Sequence, residues 1–134
     1  MSFEVKLSND KSYITLKIIG DLTSEQALKQ DLEAHALGRK LGVNRYLVDV
    51  TESRNVDSDS NNYKFAYEDI LINPGIDRNA HVALLVSPRD HSHDFFETVA
   101  RNAGLDVTLF RDRELARRHL LNGYVQQTLL VNKR

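Results

Sequence analysis

A chain of 134 residues is long enough for one hydrophobic core and too short for two, so one domain over 1–134 is expected. Its 41% apolar and 28% charged residues exclude wholesale disorder, and a net charge of −1, with Lys and Arg interleaved among Asp and Glu, argues against a phosphate-binding stripe and a nucleic-acid partner. The absence of cysteine excludes disulfides, thiolate metal sites and cysteine nucleophiles; no stretch reaches the roughly 20 apolar residues that span a bilayer, and Met1 to Lys17 lacks a leader pattern, so a cytoplasmic protein without membrane insertion is expected.

Apolar and polar residues alternate from Phe3 to Ser8 and again from Tyr13 to Ile19, with the turn formers Asn9-Asp10-Lys11-Ser12 between them, which predicts an opening β-hairpin. After the break at Gly20-Asp21, Thr23 and Gln26 have the spacing of a capping box, so a helix is expected to run to Lys40 or Leu41 and close on a left-handed Gly42. Leu28, Leu32, Leu37 and Leu41, with Ala27 and Ala36, form its expected apolar face. Tyr46, Leu47, Val48 and Val50 predict a short strand covered on both faces, with Asp49 the odd charge. The polar run Thr51 to Asn62 follows as a connection.

A second helix is expected where Tyr63, Ala66, Tyr67, Ile70 and Leu71 fall at helical spacing, capped by Ser58, Asp59 or Ser60 and stopped at Asn73-Pro74-Gly75. His81 to Val86 is the most apolar run and reads as a central strand ended by Ser87-Pro88. A third helix from about Ser92 would bury Phe95, Phe96, Val99, Ala100 and Ala103 and close at Gly104. Val107, Leu109 and Phe110 make a fifth strand, and Asp112 is placed to cap a fourth helix with Leu115, Ala116, His119 and Leu120 inward and Gly123 at its end. Tyr124 to Arg134 fits a longer helix, an edge strand or a reach onto a second subunit.

The order ββαβαβαβα, with helix-sized connections between the later strands, calls for right-handed crossovers and a five-stranded mixed sheet, mostly parallel, with an N-terminal hairpin and about four helices. The chain resembles the SpoIIAA-like proteins of the STAS superfamily through Gly20-x-Leu22-Thr23, Tyr46-Leu47-Val48-Asp49-Val50, Val82-Ala83-Leu84-Leu85-Val86, and Val107-Thr108-Leu109-Phe110-Arg111-Asp112 leading into Ala116. The likeness runs from Phe3 to about Leu121, with Tyr124 to Arg134 as a C-terminal extension, and departs at His119, where the family often has an aromatic residue before the final leucine. The resemblance implies a singly wound sheet with most helices on one face, and a non-enzymatic module for protein interaction or regulation. Kinship of this fold with lipid-binding Sec14-type domains implies, as an alternative, a small apolar or lipid-like ligand.

The STAS switch implied by the resemblance is a serine at the start of the helix after the third strand, which here points to Ser58 and Ser60. Asp57 and Asp59 would repel a phosphate there, and a helix cap explains the same residues. Asp49, Tyr63, Tyr67, Phe95 and Phe96 are the expected ligand-facing residues, although an aromatic stripe at helical spacing also builds ordinary core. His91, His93 and Asp94 crowd together as an open metal site would require, for a metal-dependent hydrolase, but no fourth ligand or base accompanies them and such residues are common in a first helical turn. No catalytic residue, metal site or cofactor is therefore assigned. The expected partners are another protein or a second copy in a homodimer, with a small apolar ligand as the alternative.

Overall fold

The computed structural model describes residues 2–132, with side chains over 2–122. β1 (Ser2–Leu7) and β2 (Ile14–Leu22) form the expected antiparallel hairpin, and β3 (Arg45–Asn55), β4 (His81–Leu85) and β5 (Asp106–Phe110) add in parallel, in the spatial order β1-β2-β3-β4-β5. Each parallel strand is laid on the same growing edge, so right-handed crossovers put every connecting helix on one face. Those helices are α1 (Ser24–Leu41), α2 (Asp59–Lys64), which runs into a π-helical segment over Phe65–Ile70, and α3 (Asp94–Asn102). The last helix, α4 (Arg113–Asn132), crosses no further strand and covers the opposite face, over β3, β4 and β5.

Strand alternation divides the core accordingly. Ile14, Leu16 and Ile18 of β2, Tyr46 and Val50 of β3, Leu84 and Val86 around the end of β4, and Val107 of β5 face the three connecting helices. Leu47, Ala83 and Leu85 face α4, which meets them with Ala116 and Leu120. Among the described residues, no helix is long and apolar enough to cross a membrane.

Four expectations are corrected. β3 does not stop at Val50 but continues through Asn55, because β2 runs on past a register shift to Leu22 and offers main-chain partners to Glu52–Asn55; those bonds override the polarity of the side chains. Part of the second helix is π-helical over Phe65–Ile70. Gly123 does not end α4, which takes in Tyr124 through Asn132; a mid-helix glycine costs only about 1 kcal/mol, and the Gln and Leu residues that follow are good helix formers. Lys133 and Arg134 lie outside the described residues. Leu115 and His119 are exposed rather than inward, since Ala116 and Leu120, four residues apart, make the sheet-facing stripe.

Candidate functional site

The side of α1 that faces the sheet is not its leucine stripe. The capping box holds as expected, with the Thr23 side chain accepting from the Gln26 N–H and the Gln26 side chain from the Thr23 N–H, and Gly42 closes the helix at φ 69°. From that start, residues 24, 27, 30, 31, 34, 35 and 38 recur on one face. They are Ser24, Ala27, Gln30, Asp31, Ala34, His35 and Gly38, of which Ser24, Gln30, Ala34, His35 and Gly38 are buried. Of the expected apolar face, Ala27, Leu28, Leu32 and Leu37 are half-buried and pack against the core, while Ala36 and Leu41 are exposed. Small and polar residues therefore oppose the sheet where leucines were expected, and small side chains leave the gap that leucines would fill.

The result is a partly enclosed cavity of about 100 Å³ between the sheet, α1, the π-helical segment and α3. Its wall is mainly apolar, with Leu16 and Ile18 from β2, Val48 and Val50 from β3, and Phe65 and Phe96 from the helices. Close-packed interiors seldom retain space of this size, and π-turns recur at functional sites. Here both ends of the π-turn, Phe65 and Ile70, line the space, and the Phe65 and Phe96 rings lie 5.4 Å apart.

A polar network closes the cavity at the carboxyl ends of the strands. Asn55 Nδ2 donates to Asn62 Oδ1 at 2.8 Å, Asn62 Nδ2 donates to the Ser58 carbonyl, and the Asn55 N–H donates to Ser92 Oγ. Asp57 ties in the start of α1 by accepting from the Ser24 N–H at 2.8 Å and from Asn61 Nδ2 at 2.6 Å. These bonds and its contact with the Ser58 N–H, chief among them that from Ser24, hold the Asp57 carboxyl below its ordinary value. Buried His93 also lines this end; its Nε2–H donates to the Ser53 carbonyl at 3.2 Å, and burial pushes the imidazole toward its neutral form.

The opposite end is closed by a second polar group. His35 stacks on Tyr46, with ring centroids 4.4 Å apart and planes 9° from parallel, and its Nδ1 accepts from the Asp77 N–H at 3.0 Å. That bond needs an unprotonated Nδ1, and burial lowers the His35 pKa to about 4. Tyr46 donates to the Val43 carbonyl at 3.3 Å, and burial raises its pKa to about 12. The close approach of Tyr46 requires Gly38: a β-carbon there would lie 1.9 Å from the Tyr46 hydroxyl oxygen.

Between the two ends stands Asp31, whose carboxyl accepts no hydrogen bond among the described residues although its side chain lines the cavity. The residue keeps some contact with solvent, yet burial of its carboxyl raises the pKa to about 7. Asp31 was not among the residues expected from the sequence. The signal available there was the chemistry of the seven-residue stripe, polar and small where a core-facing stripe should be oily.

The residues that were expected to face a ligand are dispersed. Phe96 lines the cavity, while Tyr63 and Phe95 are 54% and 41% exposed. Tyr67 is half-buried and stacks on Tyr63 with centroids 4.5 Å apart. Phe95 falls outward because α3 begins at Asp94, which puts Phe96, Val99 and Ala100 on the inner side.

Asp49 lies on the other face of the sheet, 2% exposed, accepting from Arg113 at 2.7 Å and from the Thr51 N–H and hydroxyl. Burial opposes its ionisation, but Arg113 and Thr51 together outweigh burial and hold the carboxyl below its ordinary value.

Ser58 caps α2, its Oγ accepting from the Asn61 N–H at 3.1 Å, and Ser60 is exposed in the first turn of that helix. His91 and His93 do not converge: exposed His91 meets Asp94 at 2.8 Å and Arg111 at 3.1 Å, while His93 turns inward to Ser53. No group of three His, Asp or Glu suited to a metal ion occurs among the described residues.

No family model matches the chain, and no curated protein matches it. Among solved structures it is similar to an uncharacterized protein of the DUF3478 family with a SpoIIAA-like fold from Shewanella loihica PV-4, at 17% identity over 89% of this chain and 92% of that one, with a TM-score of 0.48.

Proposed function

We propose that this protein is a non-catalytic, regulatory binding module that takes a small, largely apolar ligand into the cavity between the sheet and α1, α2 and α3. The observation that carries the reading is the cavity itself, about 100 Å³ of mainly apolar wall kept open by the small residues of α1. At about 10–15 Å³ for each water-sized occupant, it admits a molecule of several non-hydrogen atoms, well short of the roughly 300–1,000 Å³ of drug-sized sites. Asn55, Asn62 and His93 at one end and His35 and Tyr46 at the other are engaged with the protein, as expected of walls that shape a ligand.

The test is native mass spectrometry of gently purified protein, together with titration of benzyl alcohol as a neutral probe. A retained small molecule, or saturable probe binding abolished by Ala34→Leu in a protein that still melts cooperatively, supports the reading. No retained molecule and no probe binding would end it.

A second reading, interaction with another protein, is favoured by the outer side of the same helical segment. Tyr63 and the Tyr63–Tyr67 stack lie outside, and Ile72, just beyond the π-turn, is 73% exposed. The segment thus carries ligand-facing residues on one side and exposed apolar residues on the other, the arrangement through which an occupied cavity would alter a docking face. A second copy is the first partner to test. Light scattering at high concentration should detect a dimer that Tyr63→Ser with Ile72→Ser dissociates; a monomer throughout would remove self-association.

A further inference from the structure

We propose that the cavity selects a small apolar amine, its ammonium group paired with the Asp31 carboxylate and its hydrocarbon part against Leu16, Val48, Phe65 and Phe96. The proposal rests on the cavity reading above and adds the chemical class of the ligand.

The wall is mainly apolar, and most of the polar side chains at its ends have partners within the protein. Asn55, Asn62 and His93 are joined to one another's neighbourhood at one end, and His35 and Tyr46 are engaged by the Asp77 N–H and the Val43 carbonyl at the other. Asp31 is the carboxyl that faces this space without a hydrogen bond from the described residues. An ionised carboxylate removed from water is costly unless a cation or several donors compensate it. A ligand that brings an ammonium supplies both the charge and the donors, so its binding would pair a carboxylate that lines the cavity and is only partly in contact with solvent.

The charges around Asp31 argue the same way. On α1 itself the nearest titratable wall group is His35; β3 contributes Tyr46, the loop before β4 Asp77 and Arg78, β5 Asp106, and the residue before α3 His93. Three of these wall residues are carboxylates once Asp31 is counted with Asp77 and Asp106, and the permanent cation among the described wall residues, Arg78, sits at the exposed rim. Burial drives both His35 and His93 toward neutrality, so neither provides a charge for an anionic head group. A fatty acid or other carboxylate would therefore meet Asp31 with like charge, the permanent counter-ion among the described wall residues being Arg78 at the rim, whereas an amine meets its complement.

Benzylamine, benzyl alcohol and benzoate share a ring that suits the cavity and differ in the charge they bring to Asp31. At pH 8, calorimetric titration should show benzylamine binding at least about tenfold more tightly than benzyl alcohol, and benzoate at least about tenfold more weakly. Asp31→Asn should abolish the preference, leaving the amine no tighter than the alcohol, with the alcohol affinity nearly unchanged; in the wild-type protein, amine affinity should rise between pH 6 and pH 8, as the carboxyl gives up its proton. Benzoate binding as well as benzylamine, or an amine preference that survives Asp31→Asn, would overturn the inference while benzyl alcohol binding, sensitive to Ala34→Leu, kept the cavity reading intact. Failure of all three probes to bind would overturn both.

Discussion

The two faces of the sheet solve the same packing problem differently. On the α4 face, Leu47, Ala83 and Leu85 meet Ala116 and Leu120, and the buried carboxylate there, Asp49, is bonded to Arg113 and Thr51. On the face of α1, α2 and α3 a cavity remains, and Asp31, one of the carboxyls that line it, has no such partner among the described residues. One carboxyl is held below its ordinary value by its neighbours and the other is raised to about 7 by burial. The difference teaches that burial alone does not mark a functional carboxyl: the satisfied one fastens a helix, and the unsatisfied one beside open space has binding energy still to gain from a ligand.

The largest effect should come from neighbouring residues of β4 that face opposite ways. Leu85→Ala, on the α4 face, should cost about 4 kcal/mol in chemical denaturation, whereas Leu84→Ala, whose side chain already borders the cavity, should cost about 1–2 kcal/mol less because fewer contacts are lost. Equal losses would show that the two faces are packed alike. Gly38→Ala should follow at about 2 kcal/mol, since Tyr46 must shift and its stack on His35 is disturbed, which near-ultraviolet circular dichroism would register.

Arg113→Ala should destabilise at pH 7 by about 1–2 kcal/mol, less than a fully buried pair would because the Arg113 side chain is 58% exposed. The folded-state pKa of Asp49 is depressed, so the contribution of the pair is present above the ordinary value of 3.8 and lost as pH falls through the lower folded value. Denaturation of the variant and the wild type should accordingly converge in acid.

Asp31 has the opposite sign. Its folded-state pKa is raised from 3.8 to about 7, so its stabilising contribution is complete below about pH 4 and disappears as pH rises through 7. Asp31→Asn should therefore stabilise the protein by about 1–3 kcal/mol at pH 8 and by progressively less toward pH 4. The smallest expected effect is a change of slope. His35, lowered from 6.5 to about 4, takes away stability as pH falls across that interval, while Asp31 restores some of it. Stability of the wild type should thus vary less between pH 6.5 and pH 4.5 than that of Asp31→Asn, in which the losses at His35 and His93 are no longer offset; parallel curves would deny that Asp31 takes up its proton in this interval.

What could be read before the structure was local chemistry. The Thr23–Gln26 box, the left-handed Gly42 and the Asp112 cap, whose carboxylate accepts from the Leu115 N–H at 3.0 Å, depend on neighbours within a few residues and are found as expected. The apolar face of α1 was found in part, since Ala27, Leu28, Leu32 and Leu37 pack against the core, but helical periodicity did not show that the most buried positions of the helix are Ser24, Gln30, Ala34, His35 and Gly38. Of the residues expected to face a ligand, Phe96 alone among them lines the cavity, and Asp31 looked in the sequence like one more surface charge on a helix.

The sequence by itself determined the succession of strands and helices, since hydrophobic period, caps and turn residues act over distances shorter than one element. Only the tertiary structure decided which side of α1 meets the sheet, that β3 extends through Asn55 alongside β2, and that Asp31 and Asp49 end on opposite faces with opposite fates. The physical reason is that solvation and pairing of a buried charge depend on groups brought from distant parts of the chain: Arg113 reaches Asp49 across 64 residues, and among the described residues none reaches Asp31.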